Sequence, residues 1–391
     1  MQILQFTDFN KLDLTRLPSP CYVIDEVAIE RNLKILQQVA DASGAKVLAA
    51  LKAFSCWRLG ELTARYLSGS CASGLHEARL AHEEYGGEVH VFGAGYHEAD
   101  LRHILEFAHH VVFNSCAQWL RFRPLCLEAQ QRRPSMRFGL RINPEHSEGD
   151  VPIYDPCAPG SRLGILRSQL DVDSLEGISG LHFHTLCEHD FPPLARTLLA
   201  VEDKFGDLLP RMQWVNFGGG HHITRPDYQV DELIACIRNF AQRHQVQVYL
   251  EPGEAVAIGS GVLVSEVLDL TWNALDQAIL DCSATCHMPD TLEMPYRAEV
   301  MDAGAAGELP YTYRLGGLTC LAGDVMGDYS FAAPLQVGQR LVFKDMAHYT
   351  MVKTSTFNGT RLPAIALWNS ATDAFEIVRQ FDYEDFRQRL S

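Results

Sequence analysis

The chain has no run of about 18 consecutive apolar residues, so a membrane-spanning helix is not expected. It also lacks an excess of basic charge: 33 lysines and arginines stand against 49 aspartates and glutamates, for a formal net charge of −16. Nucleic acids and anionic membrane surfaces both demand a basic face, so neither is expected as a partner, and neutral or cationic small molecules are the more natural ligands. The 11 cysteines have no dense framework spacing; odd in number and scattered singly, they fit reduced thiols in the cytoplasm. The opening segment MQILQFTDFNKLDL carries acids and no apolar core of a secretion signal. Internal repeats, low-complexity tracts and a long linker are absent as well.

What the sequence does contain is a rhythm. Short apolar, β-rich runs recur at Val47–Leu51, Ser70–Ala72, Val89–Phe92, Val111–Phe113, Phe138–Ile142, Gly180–His184, Trp214–Phe217 and Val246–Leu250. Between them lie GELTARYL, LHEARLAHEEYG, DLRHILEFA, SCAQWLRFRPLCLEA, PLARTLLAVEDKFGDLL and VDELIACIRNFAQRH, whose apolar residues repeat at the three-and-four spacing of amphipathic helices. Strands alternating with helices favour a parallel sheet, and this many in succession predict an α/β fold with a closed (β/α)8 barrel. An open doubly wound sheet is the competing arrangement, but no G-x-G-x-x-G follows the first strand. After residue 260 the pattern turns to β segments (GVLVSEVLDL, QAILDCS, QRLVFKDM) joined by Gly, Pro and Asp-rich turns. We therefore expect a barrel over 31–262 and a mainly β domain over 263–391, to which the N-terminal segment 1–30 contributes.

Functional groups of such a barrel sit where its strands end. VLAALKAF places Lys52 after the first apolar run. It is either a lysine whose stem covers apolar surface or a nucleophile whose free amine attacks a carbonyl. LHFHTLCEH puts His182 and His184 on one strand face. With Glu188 they form a metal site, a hydrogen-bonded pair, or an imidazole lying flat on an aromatic cofactor. VNFGGGHH offers Gly218, Gly219 and Gly220, either a plain turn or a backbone cradle for an anion. YLEPGEAV sets Glu251 at the tip of the eighth run, as a solvated cap or as the partner of a protonated ring nitrogen. Taken together, lysine, histidine, glycine cradle and carboxylate describe a pyridoxal 5'-phosphate site. An acid at the ring nitrogen keeps the ring a strong electron sink, which points to decarboxylation.

From about residue 18 to the C-terminus the chain resembles the fold-type III pyridoxal phosphate enzymes, the group of ornithine, arginine and diaminopimelate decarboxylases. The motifs that carry this are ALKAF, CASGLHEA, HFHTLCE, NFGGGH, EPGEA, TCLAGDVM and DMAHYTMVKTSTFNG, in the family's order. FGGGHHITRPDY and CSATCHMPD resemble in particular its members that act on carboxypolyamines. The resemblance implies a barrel plus β-domain homodimer that completes two active sites across its interface. It implies that Lys52 holds the cofactor, His184 stacks on it, Gly218, Gly219, Gly220 and Tyr349 serve its phosphate, and Glu251 pairs with the ring nitrogen. Cys320 is the implied thiol reaching the partner's site, with Asp324 a nearby acid for substrate amines. Ser73, Glu77, Arg141 and Cys187 are further cofactor-shell candidates.

The departures from the family pattern bear on the substrate. Where relatives carry EPGR this chain has Glu254, and the frequent acid after the interface cysteine is Leu321. Losing an arginine removes a carboxylate partner, and gaining a glutamate adds a partner for an amine. Glu254, Asp324 and Asp290 would then face an amine-ended substrate, and the implied reactions are carboxynorspermidine to norspermidine and carboxyspermidine to spermidine, in polyamine biosynthesis. Three alternatives stand beside this. One is meso-diaminopimelate decarboxylase, with Arg141 or Arg162 clamping the far carboxylate. A second is a non-catalytic regulatory homologue, although the lysine and interface cysteine that such proteins tend to lose are both present. The third is a metal enzyme built on His182, His184, His221 or the Cys282, Cys286, His287 group, which lacks a convincing four-ligand spacing.

Overall fold

In the computed structural model, which describes residues 7–149 and 151–391, each of the eight expected apolar runs forms a strand. They are Lys46–Ala50, Gly69–Ala72, Glu88–Phe92, His110–Phe113, Arg137–Asn143, Ile178–His182, Trp214–Asn216 and Gln247–Leu250. Every neighbouring pair is parallel, and the ring closes where Leu250 pairs with Val47. A two-residue strand, Ile165–Leu166, adds to the side of Arg137–Asn143. The barrel is closed, and the open-sheet alternative, which the same alternation of strands and helices allows, does not apply.

Strand ends differ from the apolar runs in a way that matters for the site. The first strand stops at Ala50 rather than Leu51, because Ala53 and Phe54 return their N–H groups to the Ala50 carbonyl and turn the chain. Lys52 therefore sits in a turn just past the strand. The sixth strand likewise ends at His182, and His184 lies beyond it.

The barrel interior is filled by large rings set against glycines. A side chain on Gly180 would meet Trp214 Cδ2 at 2.0 Å, and one on Gly139 would meet Trp214 Cη2 at 2.4 Å. Trp214 thus occupies space that two neighbouring strands leave open. Beside it His110 stacks on His90 with ring centroids 3.9 Å apart and contacts Trp214 at 4.7 Å and Tyr249 at 5.2 Å. The Glu88 carboxylate ties this layer together, accepting from Lys46, from Tyr249 Oη at 3.3 Å and meeting His90 Nε2 at 3.0 Å.

Burial, then the neighbouring His90, push the His110 imidazole far below its ordinary pKa, so it stays neutral in the fold. In the unfolded chain it titrates near about 6.5. The stability this neutral ring allows is complete above that pH and is lost as the pH falls, because the unfolded state then takes up a proton the fold refuses. Urea unfolding of His110→Phe between pH 7.5 and 5.5 is expected to show a shallower acid loss than the parent, by up to about 1.4 kcal/mol per pH unit. An unchanged slope would mean that His110 is not a source of acid sensitivity.

Contact within the chain divides it into two compact units, Glu30–Val256 and a second one made of Ala257–Ser391 with the N-terminal residues up to Ile29. The division falls earlier than the expected barrel end at 262, because the strand Gly261–Asn273 belongs to the sheet of the second unit. That strand pairs antiparallel with Cys21–Asp25 (Tyr22 opposite Leu263), with Arg340–Lys344 and with Leu275–Leu280. Tyr311–Gly316, Val325–Phe331 and Ala303–Ala305 extend the sheet on one side, and Ala364–Asn369 and Ala374–Arg379 on the other. Its core gathers Tyr22, Leu263, Leu280, Leu315, Tyr329 and Phe343, all almost wholly buried. Among the described residues no helix is long and apolar enough to cross a membrane.

Candidate active site

At the C-terminal ends of the barrel strands a cavity of about 370 Å³, counting its open mouth, is lined by Lys52, Cys71, Ala72, Ser73, Phe92, Arg141, His182, His184 and Glu251. Lys52 Nζ lies 3.4 Å from His184 Nε2. The other ring nitrogen, Nδ1, is 3.1 Å from the Gly219 carbonyl. The Gly219 N–H reaches the same Nδ1 at 3.2 Å, so the Gly219 peptide holds this edge of the ring while Nε2 faces the lysine. Burial, with the Lys52 and Arg141 cations nearby, holds His184 well below the usual imidazole range, so the ring in the cavity wall is neutral.

Glu251 follows the eighth strand. Asn216 Nδ2 donates to its Oε1 at 2.7 Å, and His182 Nε2 lies 3.3 Å from its Oε2. Burial pushes the carboxyl up, but His182 and Asn216 outweigh that and leave it well below the ordinary carboxylate range. Burial also pulls His182 down. The cavity thus contains a fixed negative charge at one wall and the Lys52 amine at another. Cys71, by contrast, is held as a neutral thiol by burial and by Glu251.

The glycine turn is demanded by packing. Gly218 has φ +71°, and a side chain there would meet the Phe183 carbonyl at 2.5 Å. On Gly219 it would meet the Glu251 carbonyl at 2.0 Å, and on Gly220 the Leu186 carbonyl at 1.9 Å. These glycines let three strand ends pack backbone to backbone, which brings His184, Glu251 and the turn to one place. Asn216 fastens the turn as well, its Oδ1 accepting from Gly218 N–H at 2.8 Å. Arg141, 5% exposed, lays its guanidinium 4.7 Å from the Phe92 ring centroid and donates to the His184 carbonyl at 3.1 Å. Glu77 caps the neighbouring loop by accepting from Ser73 N–H at 2.6 Å.

The structure brings Lys52, His184, Glu251, Arg141 and the glycine turn together. The proposed substrate acids have partners of their own. Glu254 Oε2 is 3.0 Å from His222 Nε2, while Arg225 meets His222 Nδ1 at 3.1 Å and Asp190 at 3.0 Å. In the sheet unit Asp290 pairs with Lys353, Tyr349 has the left-handed φ of 41°, and Cys320 is exposed. Asp324 is 3% exposed and enclosed by donors of its own unit, which does not match an acid awaiting a substrate amine. Among the described residues none of the proposed metal sets has its ligand atoms gathered. The group whose donor atoms fall within 4.8 Å of one another among the described residues is Glu88, His90 and His110, where the two rings stack and Glu88 already holds Lys46.

Asn216, Phe92 and Cys71 were not singled out from the sequence. For Asn216 a signal exists: alternation places it on the inward face with Trp214, at the last position of its strand.

The fold and this cavity define a pyridoxal-dependent decarboxylase: the sequence model of that family, described as its C-terminal sheet domain, matches residues 21–347, and the chain belongs to the family. It is 45% identical over 379 residues to the carboxyaminopropylagmatine decarboxylase of Synechocystis sp., covering 96% of each chain. It is 41% identical over 385 residues to the carboxynorspermidine/carboxyspermidine decarboxylase of Campylobacter jejuni, covering 96% of this chain and 99% of that one. The crystal structure of carboxynorspermidine decarboxylase from C. jejuni, complexed with norspermidine, matches with a TM-score of 0.88 at 41% identity, over 95% of this chain and 100% of that one. The family read from the motifs, and its barrel-plus-sheet architecture, are thereby shown.

Proposed function

We propose that this chain is a pyridoxal 5'-phosphate-dependent decarboxylase of carboxypolyamines, converting carboxynorspermidine to norspermidine and carboxyspermidine to spermidine. The observation that carries this reading is one cavity holding an amine (Lys52), a neutral imidazole (His184) and an ionised carboxylate (Glu251), the donor set that this cofactor needs, in a chain closely similar to enzymes of that activity. When bound, pyridoxal phosphate supplies an aromatic ring that accepts the electron pair left as carbon dioxide departs.

Each residue then has a task of its own. Lys52 Nζ would hold the cofactor covalently, its amine being the group that an aldehyde takes. The His184 face orients the ring, with Arg141 supporting His184 through its carbonyl. Gly218, Gly219, Gly220 and Tyr349 serve the phosphate. Glu251, fixed by Asn216, keeps a proton on the ring nitrogen. Cys320 Sγ, contributed by a second copy in a homodimer, returns a proton to the substrate carbon. Glu254 and Asp290 face the amine-bearing tail, and because they already engage His222 and Lys353 the substrate must share or displace those partners. Eleven cysteines scattered singly, without the dense spacing of a disulfide framework, support a reducing, cytoplasmic setting.

A second reading has an observation of its own, the 45% identity to a carboxyaminopropylagmatine decarboxylase. That substrate ends in a guanidinium, which a carboxylate binds bidentately. The purified protein with pyridoxal phosphate should be assayed for kcat/KM on carboxynorspermidine, carboxyspermidine and carboxyaminopropylagmatine. We expect the amine-ended pair to be preferred; a preference of about tenfold or more for the guanidine-ended substrate, the scale on which one well-made polar contact discriminates, overturns the first reading in favour of the second.

A further inference from the structure

In the sheet unit the backbone on both sides of the Cys320 thiol is tied down. Thr319, just before it, donates to Asp324 Oδ2 through both its N–H (3.1 Å) and its hydroxyl (2.6 Å). Cys320 donates its own N–H to Asn358 Oδ1 at 2.9 Å. Both anchors trace back to one short segment, Ser283–His287. The Ser283 hydroxyl lies 2.9 Å from each oxygen of Asp324, and Thr285 N–H donates to Oδ1 at 3.2 Å. Cys286 Sγ contacts the carbonyl of Phe357, the residue before Asn358, at 3.7 Å, and its carbonyl accepts from Ser355 N–H at 2.9 Å.

A carboxylate offers roughly four lone-pair sites, and here the donors of Ser283, Thr285 and Thr319 take them up. Gly317 is part of the same closure, since a side chain on it would meet Asp324 Oδ2 at 2.3 Å. Buried and so supplied, Asp324 has no oxygen left for a substrate ammonium. An acid of this kind organises a loop. Asn358 has φ +59°, a conformation asparagine tolerates better than most residues, and there its amide oxygen accepts from Cys320 N–H.

We infer that Asp324 and Asn358 are positioning residues for the Cys320 thiol, held by the Ser283–His287 segment, and that Asp324 does not bind substrate. This rests on the reading of Cys320 as the proton donor. A small misplacement of a reacting group costs rate far more than binding, so the two roles separate in the kinetics. Asn358→Gly suits the left-handed backbone and removes only the amide oxygen. It is expected to lower kcat by roughly tenfold to a hundredfold with KM and melting temperature unchanged, and to speed amide hydrogen exchange in the peptide spanning 319–321. Asn358→Asp keeps an acceptor oxygen and should restore both kcat and exchange protection. Asp324→Asn should likewise lower kcat at unchanged KM. If Asp324→Asn raises KM at full kcat, Asp324 is a substrate acid and the inference falls. It falls also if Asn358→Gly keeps wild-type kcat while Cys320→Ala loses it. Full turnover by Cys320→Ala would remove the underlying reading of the thiol and the inference with it.

Discussion

Lys52→Ala is expected to lose turnover by more than about 10³-fold, the scale on which removing an enzyme's nucleophile acts, and to lose covalently held cofactor. The argument starts from geometry: the Lys52 amine enters the cavity 3.4 Å from the neutral His184 ring. Among the residues lining that cavity, lysine alone offers an amine to an aldehyde. Lys52→Arg separates charge from chemistry, because a guanidinium keeps the cation but stays protonated and cannot act as a free amine. It should be as inactive as the alanine variant. The check is intact mass after borohydride treatment with pyridoxal phosphate, alongside product formation. A variant that still takes up the cofactor mass at another position and turns over would show that Lys52 only covers apolar surface.

Glu251→Gln is expected to retain cofactor but to lower kcat by about 10²–10⁴-fold, the usual contribution of a positioned acid or base. The swap preserves shape: the new amide oxygen can still accept from Asn216, and its NH2 can face His182. What disappears is the negative charge that the ring-nitrogen proton needs. Because that carboxyl is held well below its ordinary range, it stays ionised through neutral pH, and acid loss of wild-type activity between pH 8 and 6 should not trace to it. Equal kcat for Glu251→Gln and wild type would contradict the electron-sink argument.

Much of this was legible in the sequence because barrel strands are buried on both faces, and continuous apolar runs mark them regardless of their helices. The run at Val47–Leu51 found its strand but missed its end, since the turn at Leu51–Ala53 is made by backbone bonds to Ala50 that no side-chain pattern announces. His184 and Glu251 were singled out because they stand at run ends, one in an H-x-H pair and the other before Pro252 and Gly253, and both line the cavity. At the glycines the sequence suggested an anion cradle but could not show a second demand, three strand ends packed too closely for any side chain. Asp324 has surroundings that the sequence does not announce. An acid four residues past a candidate catalytic cysteine reads as a substrate contact until Ser283, distant in sequence, is seen to fill its oxygens. The Lys46, Glu88, His90 and His110 layer passed unnoticed because its residues are spread over three strands and only the folded barrel brings them together.

The central claim is that the cavity serves a substrate with an amine at its far end. The most direct measurement is carbon dioxide release by the purified protein with pyridoxal phosphate, from carboxynorspermidine and from meso-diaminopimelate side by side. The glutamate at 254 in place of an arginine predicts strong preference for carboxynorspermidine. Preference for diaminopimelate would leave the fold and family standing and would contradict the assignment of the substrate.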